Sequence, residues 1–326
     1  MKYICGLLFL LALISIAGCS YRDKLAGQSI PEKKTSAVII ESTAQAIEPA
    51  APVNTLVAYI VTETPAPVIS ITPAYVSYVN PDGMTIKDRF TVPEGYLRTE
   101  AKDGSFSEFL QNLPLKPDGA KVHYYDGRVK NRDVYLAVVD YPLGDRDLQQ
   151  CADAVIRLRA EYFYASGQYD NIEFHFVNGF LASFSKWARG YGISVTGNDV
   201  QWKQNINNDG SYGSFQKYLD MVYAYASTLS LEKELEVKDT AELSIGDVFI
   251  RGGSPGHCVI VVDTAVQKST GDKVFMLAQG YMPAQDIQIL KCPSSVGDSP
   301  WYSANFGDAL VTPEYTFAKT ELRTWN

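Results

Sequence analysis

A cysteine, a histidine and a glutamine, at positions 151, 257 and 279, are the residue types from which a thiol hydrolase builds its site. A thiol is a strong nucleophile only as the thiolate. A helix N-terminus stabilises that form through unpaired amides and the positive end of its dipole, and a nearby histidine does so through an ion pair. Cys151 lies in DLQQCADAV, where a helix is expected to begin. His257, one of only three histidines, opens the apolar run HCVIVVD and would meet the second condition if it faced that helix. A catalytic imidazole also needs a polar partner to orient it. Gln279, at the end of VFMLAQ, is the candidate, with Gln285 or Asp286 of MPAQDIQ able to take its place. Plainer readings stand beside these: a small buried cysteine on a helix face, and a histidine that merely starts a strand.

The elements that must position these residues follow from periodicity. Leu148, Cys151, Ala152, Val155, Leu158, Tyr162 and Phe163 repeat at the spacing of one buried helical face. Asp147 can cap the first free amides and Gln150 can reach back, so the helix is expected to start at or near Asp147, with Cys151 on its first turn. Gly167 suits its exit. SFQKYLDMVYAYASTLSLEKEL reads as a second helix, with Phe215, Leu219, Val222, Tyr223 and Ala226 on one face. Short β-rich segments follow: DVFIR, CVIVVD and VFMLAQ. In the second of these, His257, Val259, Val261 and Asp263 share one face, and Cys258, Ile260 and Val262 the other. An antiparallel hairpin would return Gln279 to the side of His257, although the long connection from Thr264 to Lys273 leaves the register open.

Elsewhere, VHYYDG and VYLAVVDYPLG read as paired strands around DGRVKNRD, NIEFHFVNG as a strand and turn, and FLASFSKWARG as a short helix. TGNDVQWKQNINNDGSYG reads as a loop. His123 reads as a strand residue, and His175, which alternates with Phe174 and Phe176, as either structural or a contact at the pocket's edge. The glycines of RGGSPGH are not a phosphate loop, because no Lys-Ser/Thr follows and no helix opens there. Helices first and an antiparallel sheet afterwards predict an α+β domain.

These residues resemble the papain-like, NlpC-type cell-wall peptidases. Gly246-Asp247-Val248-Phe249-Ile250, a Gly-rich turn and His257-Cys258-Val259-Ile260-Val261-Val262 match the second half of that pattern, and Cys151 opening its helix matches the nucleophile position. The resemblance implies a fold of N-terminal helices packed on a C-terminal antiparallel sheet. It also implies a triad of Cys151, His257 and Gln279, and a tyrosine upstream of the cysteine that helps to bind the oxyanion. Tyr141 is the only nearby match. The sequence departs from the family at Gln150-Cys151-Ala152-Asp153, where Asp-Cys-Ser-Gly is usual, in the longer gap from cysteine to histidine, and in a glutamine where histidine is commoner. DLQQCADAV-RLRAEY, GDVFI-GG-PGH and AQ-YMPAQ-I-IL further resemble a family of uncharacterised bacterial lipoproteins, a domain of unknown function.

The N-terminus reads as a processing signal over residues 1–18. Its apolar stretch, Ile4 to Ile16, is too short to cross a bilayer. Ile16-Ala17-Gly18-Cys19 resembles the lipobox of bacterial lipoproteins, which implies acylation of Cys19 and cleavage before it. Several acyl chains on one residue anchor a protein stably. Residues 19–85 are rich in Pro, Ala and Thr and read as an extended tether, leaving 86–326 as the domain. Removing the signal, whose only charge is Lys2, takes the net charge from −8 to −9, a poor match for nucleic acid. No CxxC and no Cys/His cluster with zinc spacing occurs, so neither metal nor cofactor is indicated. The function expected is that of a cysteine hydrolase in the bacterial cell envelope, lipid-anchored to a membrane, cleaving an amide bond, most plausibly in peptidoglycan peptide. The alternative is a non-catalytic lipoprotein that binds a glycan, a peptide or an envelope partner.

Overall fold

The computed structural model describes residues 77–326 apart from 205, 206 and 296. The signal, Cys19 and the tether up to residue 76 lie outside the described residues. The fold takes in chain before residue 86, however. Val79 bridges Phe90, and the buried Arg89 guanidinium donates to the Gly83 carbonyl at 2.7 Å, so the last part of the expected tether is built into the domain.

Thr85 caps α1 (Ile86–Arg89), which leads through β1 (Tyr96–Arg98) to α2 (Phe106–Gln111), capped by Ser105. β2 (Tyr135–Val138) precedes the long helix α3 (Cys151–Ala165). The expected strand pair around DGRVKNRD does not form. His123 and Tyr124 make only isolated bridges, to Val129 and Gln285, and β2 pairs elsewhere. β3 (Glu173–His175) and β4 (Leu181–Ser183) form a hairpin that runs into α4 (Phe184–Trp187). The segment expected as a loop is largely a second hairpin, β5 (Tyr191–Thr196) with β6 (Asp199–Gln204). Its alternating Val195, Val200 and Trp202 pack partly against the core, and Gly197 supplies the positive φ of the turn. The expected second helix is two: α5 (Tyr212–Tyr225) and α6 (Thr228–Glu234). Ala226 is extended, and the Ser227 hydroxyl accepts from the Leu229 amide, which caps a fresh helix in place of continuing the old one.

The remaining chain builds the sheet. β7 (Glu236–Val237), β8 (Val248–Arg251), β9 (His257–Gln267), β10 (Lys273–Gln279), β11 (Gln288–Leu290) and β12 (Tyr302–Ser303) are followed by a hairpin of β13 (Ala309–Val311) and β14 (Thr316–Ala318), then β15 (Leu322–Thr324). The nine-stranded sheet has the order β2-β11-β10-β9-β8-β15-β7, with β1 added beside β9 and β12 beside β10. Every pairing in it is antiparallel. The domain is thus mixed α and β with one large antiparallel sheet.

Side-chain alternation on β9 divides the core. Cys258, Ile260 and Val262 pack with α3 through Cys151, Val155 and Leu158, whereas Val259 and Val261 pack with Phe249, Phe275 and Leu277 on the far side. The helix therefore lies on the Cys258 face. His257 belongs by alternation to the opposite face, which corrects the expectation that it faces the helix; at the strand's open end it nevertheless lines the same cleft as Cys151. Among the described residues no helix is long and apolar enough to cross a membrane.

Candidate functional site

The site begins at the start of α3. The Gln150 amide donates to Asp153 Oδ2 at 3.0 Å, closing the first turn. Helical structure starts at Cys151 and not at Asp147, because the Asp147 carboxylate is engaged elsewhere. Its Oδ1 accepts from the Ala284 amide at 2.7 Å and from Gln150 Nε2 at 3.0 Å, which ties the helix start to the loop after β10. Cys151 is consequently the first helical residue, and its amide is one of those with no acceptor inside the helix. The exit of β10 presses against this point. A Cβ on Gly280 would stand 2.7 Å from the Gln150 carbonyl oxygen and 2.9 Å from Ala154 Cβ, so glycine is what allows the approach.

His257 enters from the open end of β9. The turn before it is equally close, since a Cβ on Gly256 would lie 2.5 Å from Thr228 Oγ1. The imidazole is 2 % exposed, edge-on to Tyr281 at 4.8 Å and stacked on Phe317 at 5.9 Å. Its Nε2 is 2.9 Å from Gln279 Oε1. The β9–β10 register, Ala278 opposite Ile260, puts Gln279 opposite Val259, one same-face step from His257. The direction of the hydrogen bonds follows from the next partner. Gln279 Nε2 donates to Glu314 Oε2 at 2.7 Å, and a carboxylate only accepts, so Gln279 presents its oxygen to the imidazole. His257 must then donate from Nε2, which leaves Nδ1 as the nitrogen free to accept a proton. Glu314 is itself held by the buried Lys130 ammonium at 2.6 Å and by Arg132 at 3.0 Å.

Electrostatics single out Cys151, which is 9 % exposed. Its thiol is pulled down from 9.0 to about 4, first by a hydrogen bond from the Cys258 thiol and then by the hydrogen bond and charge of His257 and the Ala152 amide; burial opposes these. Burial and the neighbouring sulfur push Cys258 well up, so of the two thiols Cys151 gives up its proton and Cys258 keeps its own. Burial, reinforced by the Cys151 charge, also pushes Asp153 well above the usual carboxylate range. Asp153 Oδ1 and the Tyr223 hydroxyl have no hydrogen-bond partner, and both residues line the cleft above Cys151. The cleft is a cavity of about 580 Å³ that also takes in Thr228, Gly256, Tyr281 and Tyr315. Cys151, Cys258 and Cys292 are all free thiols, the last in the far core.

Cys151, His257 and Gln279 are thus brought together, and Tyr141 is not. Its ring lies under the Arg157 guanidinium at 5.0 Å, two turns along α3 and outside the residues lining the cleft, so the upstream tyrosine does not reach the sulfur. Tyr281 and Tyr315 stand there instead. Gln285 and Asp286 are engaged elsewhere, Gln285 by Lys130 at 3.0 Å and Asp286 by Lys116 at 3.0 Å, and neither substitutes for Gln279. His123 and His175 are about half exposed and paired with Asp286 and Glu234, away from the cleft. Sequence reasoning missed Cys258, Glu314 and Tyr281. The adjacency of Cys258 to His257 was a usable signal for the first, since a strand that offers His257 at its end must turn Cys258 toward the helix. Among the described residues no cluster of His, Cys, Asp or Glu is arranged to hold a metal ion.

No curated relative and no solved structure matches the chain. A family model described as Domain of unknown function (4846) matches residues 86–324, most of the chain and nearly all of the described domain, and the chain belongs to that family.

Proposed function

We propose that this chain is a cysteine hydrolase of the papain-like, NlpC-type kind, anchored to the bacterial envelope by acyl groups on Cys19 and cleaving an amide bond of cell-wall peptide. The observation that carries the reading is the pairing of a depressed thiol at the first residue of a helix with an imidazole whose tautomer is fixed from behind. The Cys151 thiolate attacks the amide carbonyl, forming a carbon–sulfur bond. The developing oxyanion is met by the Cys151 amide at the helix start. Protonated at Nδ1, His257 gives its proton to the leaving nitrogen as the carbon–nitrogen bond breaks. Water then attacks the thioester, His257 takes its proton, and a carboxylic acid leaves with the thiolate restored. Gln279 holds the ring, Glu314 holds Gln279, and the rings of Tyr281, Tyr315 and Phe317 keep the imidazole from rotating.

The lipobox-like Ile16-Ala17-Gly18-Cys19 supports the anchor, and the Pro-, Ala- and Thr-rich composition of the chain that follows supports a site held away from the membrane. The test is release of free amino groups from peptidoglycan peptides by the purified domain and by Cys151→Ala. Turnover in the first, with a loss of about 10³-fold or more in the second while the fold is kept, is expected. Equal activity of the two would leave a protein that binds a glycan or peptide without cleaving it.

A further inference from the structure

A second cavity, of about 850 Å³, shares no lining residue with the cysteine cleft. It lies between the later turns of α3, the β3–β4 hairpin, α6 and the end of the chain, and Arg159 is in its wall. Acidic residues outnumber basic ones 37 to 29 in this chain, yet Arg159 pairs with none of those described. Its guanidinium lies over the rings of Phe163 at 4.5 Å, Phe106 at 4.8 Å and Trp325 at 5.0 Å. Aromatic rings satisfy the faces of a guanidinium but accept none of its five in-plane hydrogens. Burial lowers Arg159 from 12.5 to about 10, the mark of a cation without a counter-ion. Trp325 Nε1, in the same wall, also has no acceptor. Of the two acidic side chains lining the cavity, Glu234 is taken by His175, and Glu173 does not reach Arg159. Val177 and Leu181, 50 % and 38 % exposed, give the mouth an apolar rim.

We propose that this cavity is a second ligand site, which takes a small carboxylate carried on an apolar body, the carboxylate on the Arg159 guanidinium and the body against Phe163 and Trp325. The guanidinium fork matches a carboxylate with two parallel hydrogen bonds, and the rings already hold it in place. Eight residues of helix, on the order of 12 Å, separate Arg159 from Cys151, so binding here does not depend on the thiol.

Calorimetric titration of the purified full chain with N-acetyl-L-phenylalanine, its neutral amide and inorganic phosphate tests the proposal. Saturable binding of the acid is expected, with about tenfold or more weaker binding by the amide, by phosphate and by Arg159→Gln, and unchanged binding by Cys151→Ala. If Arg159→Gln does not fold, the comparison of acid with amide on the native chain decides the matter alone. Equal affinity for acid and amide, no saturable binding of the acid at millimolar concentration, or loss of binding in Cys151→Ala would overturn it. Phosphate binding as well as the acid would overturn the apolar body. None of these results bears on whether Cys151 hydrolyses amides.

Discussion

Cys258 is the residue on which the chemistry of Cys151 turns most. Its thiol, fully buried on the α3 face of β9, donates to the sulfur of Cys151 and is the largest single cause of the depression to about 4. Removing the donor while keeping the space nearly filled should therefore raise the midpoint of Cys151 ionisation. Cys258→Ala is expected to move it up by about one pH unit or more, with Cys258→Ser recovering most of the shift because a hydroxyl donates in the same place. The pH dependence of thiol alkylation in the two variants checks this, and an unchanged midpoint in Cys258→Ala would remove Cys258 from the account. At this scale three residues were legible in the sequence, since a cysteine at a helix start, a histidine opening a strand and a glutamine closing the next are local patterns. Glu314 was not legible, because only the folded chain carries a loop from after β13 to the back of Gln279. Tyr141 misled for the converse reason: ten residues of separation in the chain placed it along α3 and not at the helix end.

Among the elements, the end of β10 and the start of α3 come into close contact beside the cysteine cleft. Gly280 makes that contact backbone to backbone, within reach of the Gln150 carbonyl. Gly280→Ala must push the helix start away from the sheet or strain the turn. A cost of about 1–3 kcal/mol in stability is expected, together with slower alkylation of Cys151 near neutral pH, measured by denaturant unfolding and by labelling rate. Retained stability and retained labelling would mean that the helix start is set by something other than this contact. The break between α5 and α6 matters in the same way, since it places Ser227 and Thr228 at the rim of the cleft. The sequence pattern runs unbroken through it. What divides the helices is the competition of the Ser227 hydroxyl for a main-chain amide, and periodicity does not register that. The β5–β6 hairpin escaped for a related reason: its polar composition matches a loop, and only the alternation of Val195, Val200 and Trp202 marks it as strands.

For the molecule as a whole, the proposed lipid on Cys19 would suit the proposed action on a fixed polymer, because tethering raises the local concentration of an enzyme at its substrate. Cys19→Ser, expressed in a bacterial host, is expected to leave the membrane fraction and to lose the mass of the acyl groups, as read by fractionation and mass spectrometry. Membrane retention of that variant would contradict the lipid anchor. The large antiparallel sheet and the helix over it followed from the order of helical and strand signals. The strand β1 and the pairing of β2 with β11 did not, since strand partners more than a hundred residues apart leave no local mark.

The central claim is that Cys151 exists as a thiolate well below neutral pH, and iodoacetamide labelling of Cys151 across pH tests it most directly. A folded-state midpoint of about 4 means that the thiolate is lost only as pH falls through that value. The labelling rate should therefore be level from about pH 6 upward and fall by half near pH 4. A rate that instead climbs through pH ~8.5, as for an ordinary thiol, would contradict the account.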